Sequence, residues 1–246
     1  MPRPVRVLAV SDEIDDALLA DASAARGAEL ILACGDLPFE YLGFLMNALD
    51  VPLVFVPGNH DPDISGYRTS RGGLTLRAGL PARPPWPSGA ISADGHIVDV
   101  AGLRLAGLGG SRRYSPGPNQ YTDWQQARRG RLLALRARLR RRRVQVLLSH
   151  APPAGVGDGP DPAHLGFPIL NVLIRELSPG LLLHGHVDPS PIGWGDHQLN
   201  GTIVRNVTGR HLFDIDPGTG APSDLAASQP GGRRPRTGPP PTGRDG

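Results

Sequence analysis

Five short polar clusters interrupt the apolar segments of this chain: Ser11-Asp12-Glu13, Gly35-Asp36, Gly58-Asn59-His60-Asp61, Ser149-His150 and His184-Gly185-His186-Val187-Asp188. Each follows an apolar run, so each is expected at the carboxyl end of a strand, where open α/β sheets bind their ligands. Oxygen ligands from Asp and Asn combined with imidazole nitrogens suit Mn, Fe, Zn or Mg, not a metal that wants thiolate. Gly35 and Gly58 stand just before Asp36 and Asn59, where the backbone has to turn sharply. Asp12 and Asp36 also fit helix N-caps, a role compatible with ligation.

The elements that must carry these clusters follow from the apolar pattern. Val5 to Val10, Leu30 to Cys34 and Leu53 to Val56 are continuous apolar runs, separated by helical patterns at Ala17 to Arg26 and Phe39 to Leu49. Runs apolar on both faces indicate parallel strands covered on both sides. The Gly- and Pro-rich stretch 61–89 is expected as a long loop. His96 to Val100 and Leu103 to Gly107 form a hairpin pattern, and Gln120 to Arg143 a helix. Then come a strand at Val144 to Ser149, a helix around Pro168 to Leu177, a strand at Leu181 to His184, and two strands turning at Gly209. The domain is expected over residues 1–217. The tail 218–246 has seven Gly and six Pro and only Leu225 beyond alanine as an apolar residue, so it is expected to be disordered.

Composition removes whole classes of chemistry. All 26 basic residues are Arg, which excludes a P-loop lysine, a Schiff base and a kinase-type lysine. The single Cys34 forms neither an intramolecular disulfide nor a cysteine-based zinc site, consistent with a reducing compartment. The first apolar run meets Asp12 too soon for a signal sequence, and no run approaches the ~18 apolar residues of a membrane span. A cytoplasmic protein with no membrane partner is expected. The net charge is +3, and four Arg against Asp224 and Asp245 in residues 218–246 account for two of those units. The body is near neutral, so overall charge does not call for a nucleic-acid partner.

The ordered set Asp12, Gly35-Asp36, Gly58-Asn59-His60-Asp61, His150 and Gly185-His186 resembles the calcineurin-like metallophosphoesterase family, over about Val5 to Val207. The resemblance implies an α/β fold, a four-layer αββα sandwich of two sheets between helices. It also implies hydrolysis of a phosphate ester with two divalent metal ions as cofactors. By the same resemblance Asp36 bridges both ions, and Asn59, His150 and His186 complete one site, with Asn59 also near the substrate. The cations activate a water for in-line attack and neutralise charge on the transferred phosphoryl group. His60 is the implied catalytic acid for the leaving oxygen, oriented by Asp61.

The sequence departs from the family pattern at the other metal. Where the family has Asp-x-His and Gly-His-x-His, Ile14 and Asp188 replace the histidines. Ile14 ligates nothing, whereas Asp188 offers a hard oxygen. The carboxylates of Asp12, Asp36 and Asp188 would favour Mn or Mg over Zn. Glu13 is a further candidate ligand.

Other residues have competing readings. Arg112 and Arg113 lie in a donor-rich loop and are candidates to hold a substrate phosphate, since Arg binds phosphate bidentately. His184 is either a ligand or ligand-supporting histidine or a buried structural one, and His164 is read as structural. Leu132, Leu135 and Leu139, with Leu133 beside them, make one apolar stripe on a solvated amphipathic helix whose other face carries Arg. A small phosphorylated substrate is the expected partner, a phosphodiester slightly ahead of a monoester. The rival readings are a catalytically impaired, single-metal protein that binds a phosphate ligand, and a nuclease acting through the Arg helix and tail.

Overall fold

A computed structural model describes residues 3–69, 74–140, 142–189 and 195–224, and in it the apolar runs become two six-stranded sheets. The parallel strands β1 (Val5–Ser11), β2 (Leu30–Ala33) and β3 (Leu53–Phe55) pair with Val10 opposite Ala33 and Ala33 opposite Phe55, so their carboxyl ends lie level. Between them come α1 (Asp16–Ala20), a 3₁₀ turn over Ala22–Ala25, and α2 (Phe39–Leu49). The helix expected over Ala17 to Arg26 is thus two pieces. Asp21 divides it, because its carboxylate accepts from the Ser23 amide at 2.9 Å and starts the second piece.

Part of the segment expected as loop is ordered. β4 (Tyr67–Thr69), β5 (Thr75–Arg77) and β6 (Leu80–Pro81) form a small antiparallel sheet. In it Arg77 pairs opposite Tyr67 and lies 4.8 Å from the ring centre. β7 (Ile91–Ser92) then edges the first sheet beside β3.

The second sheet starts with the expected hairpin of β8 (Ile97–Val100) and β9 (Leu103–Leu108), turning at Ala101 and Gly102, both with positive φ. A short parallel pair, β10 (Ser111–Arg112) and β11 (Gln120–Tyr121), leads into α3 (Asp123–Leu139). That helix begins at Thr122 with a capping box to Gln125. β12 (Val146–Ser149), α4 (Pro168–Leu177), β13 (Leu181–His184), β14 (His197–Leu199) and β15 (Thr202–Asn206) complete the sheet in the order β14-β15-β13-β12-β9-β8. The two strands expected to turn together at Gly209 instead belong to different sheets. After β15 the chain crosses over, and β16 (Gly209–Ile215) runs antiparallel to β1 along its whole length.

The architecture is the expected four-layer α/β sandwich. Val7, Leu32, Leu105, Leu148, Leu183 and Phe213 are among the residues filling the space between the sheets. One outer face packs α1 and α2 through residues such as Leu18 and Leu45, and the other packs α3 and α4 through Leu133 and Leu173. Of the segment 218–246, residues 218–224 are placed. Asp216 accepts from the amides of Gly218 and Thr219 and turns the chain, so that β17 (Pro222–Asp224) pairs with β16 through backbone bonds that need no apolar side chains. The rest of the expected tail, 225–246, lies outside the described residues. No described helix is long and apolar enough to cross a membrane.

Candidate metal centre

Level strand ends bring the polar clusters together. A cavity of about 350 Å³ is lined by Asp12, Asp36, His60, Tyr114, His164 and His186. Asp36, His150 and His186 each offer one ligand atom within 4.8 Å of the others, and they are the only such group of three among the described residues. Three residues here, Asp12, Asp36 and His186, hold left-handed backbone with φ of 62°, 56° and 69°. Such strain in non-glycine residues concentrates at functional sites.

The donor set fits a divalent cation. His150 is fully buried, and its Nδ1 lies 2.8 Å from the Cys34 carbonyl, so that nitrogen carries a proton and Nε2 faces the cavity. Asn59 Oδ1 at 3.1 Å and Asp36 Oδ2 at 3.2 Å converge on the same Nε2. His186 Nε2 lies 2.7 Å from the Ala163 carbonyl, which leaves Nδ1 with the free lone pair. Each imidazole is thus oriented by a backbone carbonyl on its far nitrogen, the arrangement that holds ligand histidines in place.

Four loops are tied together around this group. Asp36 Oδ1 accepts from the His60 amide at 2.8 Å, and Asp12 Oδ2 from the His186 amide at 2.9 Å. Gly35 takes φ +96°, a conformation open to glycine. Asp61 does not orient His60 as expected. Its Oδ2 accepts instead from the amides of Gly58 and Asp36 at 2.8 and 3.1 Å, because the tight loop leaves those two donors inside with no strand partner. His60 itself is exposed at the cavity rim.

Charge in this pocket is finely balanced. Burial pushes the carboxyls of Asp12 and Asp61 up. At Asp36 burial opposes the charge too, but the hydrogen bond and charge of His150 outweigh it and hold the group below the usual range. Burial likewise opposes a charged His150, yet Asp36 and Asp12 overcome it and push the imidazole up to about 9. His184 and His186 are lowered to about 4 by burial and by the charge of His150. The signs define a profile for metal-free protein. The raised His150 adds stability that is complete below about pH 6.5, the ordinary imidazole value, and is lost as pH rises through about 9. The lowered His184 and His186 take up protons on unfolding, so they cost stability below about pH 6.5 as pH falls through about 4. Denaturant unfolding in chelator should therefore show a maximum near pH 6.5, with an alkaline limb that flattens when Mn displaces the His150 proton. A profile without that limb would contradict this account of His150.

The calcineurin-like phosphoesterase profile matches residues 10–188, well over half of the chain and all five clusters. The chain belongs to the calcineurin-like phosphoesterase family. Family membership supports a metal-dependent phosphoesterase in general. Solved structures of the same fold include TT1561 of Thermus thermophilus, 15% identical, covering 90% of this chain and 98% of that one with a TM-score of 0.55. Another solved chain is 18% identical, with 86% and 95% covered and a TM-score of 0.59. A Vps29 single mutant from Entamoeba histolytica is 11% identical, with 87% and 95% covered and a TM-score of 0.38. A search of curated proteins returned no match.

Against the family pattern, this chain gathers Asp12, Asp36, Asn59, His60, His150 and His186 and leaves three expected residues apart. Asp188 is exposed and does not line the cavity, since Val187 takes the buried position beside His186. Arg112 pairs with Asp123 at 2.5 Å, and Arg113 bonds the Gln120 carbonyl and Gln125 Oε1. Both arginines therefore brace the start of α3 instead of lining the cavity. In their place Tyr114, the next residue, reaches the site, its hydroxyl accepting from Asn59 Nδ2 at 3.1 Å.

Two other contributors were not singled out for function. His164, read as structural, lines the cavity with its Nδ1 2.7 Å from Asp161 Oδ2 and its ring 5.4 Å from that of His186. Asn119, with φ +53°, donates from Nδ2 to the carbonyls of Gly58 and Asp61 and clamps the loop that carries Asn59 and His60. Its only sequence signal is an Asn between Pro118 and Gln120 in a loop.

Proposed function

We propose that this protein hydrolyses phosphodiesters by metal-dependent catalysis, with Asp36, Asn59, His150 and His186 holding a divalent cation and His60 protonating the leaving oxygen. The observation that carries this reading is the convergence of Asp36, His150 and His186 beside the cavity that His60 also lines. A cation bound there supplies charge neutralisation at the phosphoryl oxygens and a water acidified toward neutral pH. His60 stands at the open rim, fixed through its own amide to Asp36, where a leaving group departs into solvent. Asn59 is held between His150 and Tyr114, which aims its amide edge at the same space. Diesters stand ahead of monoesters because no Arg among the described residues lines the cavity, and a dianionic monoester calls for one.

Metal-stripped protein titrated with Mn, Mg, Zn and Fe against bis(p-nitrophenyl) phosphate and p-nitrophenyl phosphate tests the reading. His60→Ala is expected to lower turnover by ~10²- to 10⁴-fold, most for poor leaving groups. Equal loss for good and poor leaving groups would remove His60 from the acid role. Mn is the metal we favour, from the hard carboxylates Asp12 and Asp36. A second reading rests on Ile14 and on the exposure of Asp188. It is a single-cation protein that binds a phosphate ligand without turnover, and tight binding of one ion with no hydrolysis of either substrate would select it.

A further inference from the structure

Helix α3 turns outward the residues that its sequence pattern assigns to the core. Leu132, Leu135 and Leu139 are 47%, 52% and 74% exposed, and Trp124 is 70% exposed. The face packed on the body is Gln126, Gly130, Leu133, Ala134 and Ala137. The reason is close approach of α4: a Cβ on Gly130 would lie 2.4 Å from Ile169 Cγ1, so small residues must face inward. At 100° per residue the four large apolar residues fall within one quadrant of the helix. The expected leucine stripe is thus split: Leu133 is buried, while Leu132, Leu135 and Leu139 face outward.

This apolar crest is set among cations. Residues 123–143 contain nine Arg and one acidic residue, Asp123. Arg128 and Arg131 are exposed on the crest itself, and no ion pair engages them among the described residues. Arg138, 66% exposed and paired with Glu176 at 3.2 Å, flanks it on one side. We propose that the outward face of α3 docks this protein on an anionic lipid surface. A helix with leucines and a tryptophan on one face, bordered by arginines, lies in the plane of a bilayer interface without crossing it. The long arginine side chains reach the headgroups while the apolar crest sinks below them.

The same residues disfavour the other occupants. A second copy would set two arginine-rich faces against each other. Nucleic acid would press Leu135 and Leu139 against phosphates. An acidic protein segment would meet Arg128 and Arg131 but would have to bury Leu132, Leu135 and Leu139 against its own charges, whereas an anionic bilayer takes both the cations and the apolar crest.

Flotation of the full-length protein with phosphatidylcholine vesicles, with and without phosphatidylglycerol, tests the proposal. Binding is expected only with phosphatidylglycerol, weakening as salt is added. Arg128→Gln with Arg131→Gln should weaken it by ~30-fold, from about 1 kcal/mol per arginine. Leu135→Glu with Leu139→Glu should abolish it, while leaving the thermal midpoint unchanged because both positions are exposed. No binding to phosphatidylglycerol vesicles at low salt would overturn the proposal. So would equal binding to neutral vesicles, or a dimer that the leucine variants dissociate.

Discussion

Asp36→Asn is expected to abolish metal-dependent hydrolysis while leaving the chain folded. Asn is the same size and still offers an oxygen to the His60 amide, which Asp36 Oδ1 now accepts at 2.8 Å. It lacks the negative charge that a divalent ion and a protonated His150 both require. Removing an outer partner of a metal ligand typically costs ~10- to 100-fold in affinity or activity, and a direct ligand shared by the site should cost more than that. The variant carries a second, independent signature. Asp36 lies 3.2 Å from His150 Nε2 and contributes by hydrogen bond and by charge to pushing that imidazole up to about 9. With Asn there, the alkaline limb of the stability profile should shrink toward the ordinary imidazole range. Turnover within tenfold of wild type, measured at saturating Mn, would contradict the role of Asp36.

Gly58→Ala should be among the most damaging small changes at this site. A Cβ at this position would lie 2.0 Å from Asp36 Oδ1 and 2.6 Å from the Asp36 amide nitrogen, so the loop or the carboxylate must move. The Gly58 amide also donates to Asp61 Oδ2 at 2.8 Å, so the shift would loosen the clamp between the Asp36 and Asn59 loops. Overpacking of this kind costs about 1–3 kcal/mol, and a displacement near 1 Å at reacting groups costs about 10²-fold in rate. For a chain of this size the stability loss corresponds to a thermal midpoint lower by ~2–12 °C. Normal turnover with an unchanged midpoint would show that the loop yields without disturbing Asp36.

Much of this centre was legible before the fold was known, because chemistry-bearing residues at the ends of apolar runs have one common destination in an open sheet. Asp12, Asp36, Asn59, His150 and His186 meet because register fixes the strand ends side by side, and the apolar runs themselves dictate that register. The four-layer arrangement was legible only through the resemblance of these motifs to the calcineurin-like phosphoesterases, since the apolar runs alone indicate covered parallel strands and not how many sheets they form. What was not legible depends on partners distant in sequence or on contacts that periodicity does not encode. Arg112 and Arg113 are drawn to Asp123 and Gln125, and nothing local in their loop indicates that preference over a phosphate. Hydropathy assigns the α3 stripe inward, whereas the closeness of α4 at Gly130 decides the helix rotation. Asp61 sits beside His60 in sequence, yet the unpaired amides of Gly58 and Asp36 claim its carboxylate. Tyr114 enters the site only because β10 and β11 fold its loop over Asn59.

The central claim is that Asp36, His150 and His186 hold a catalytic cation. Metal content and hydrolysis should be measured together on chelator-stripped protein titrated with Mn, for wild type and for His186→Ala. His186 is half-buried and lies beyond the end of β13, so its loss leaves the sheets intact. The account predicts at least one Mn per wild-type chain, hydrolysis that rises in proportion to it, and the loss of both in the variant. Hydrolysis without bound metal, or Mn binding and turnover undiminished in His186→Ala, would contradict it.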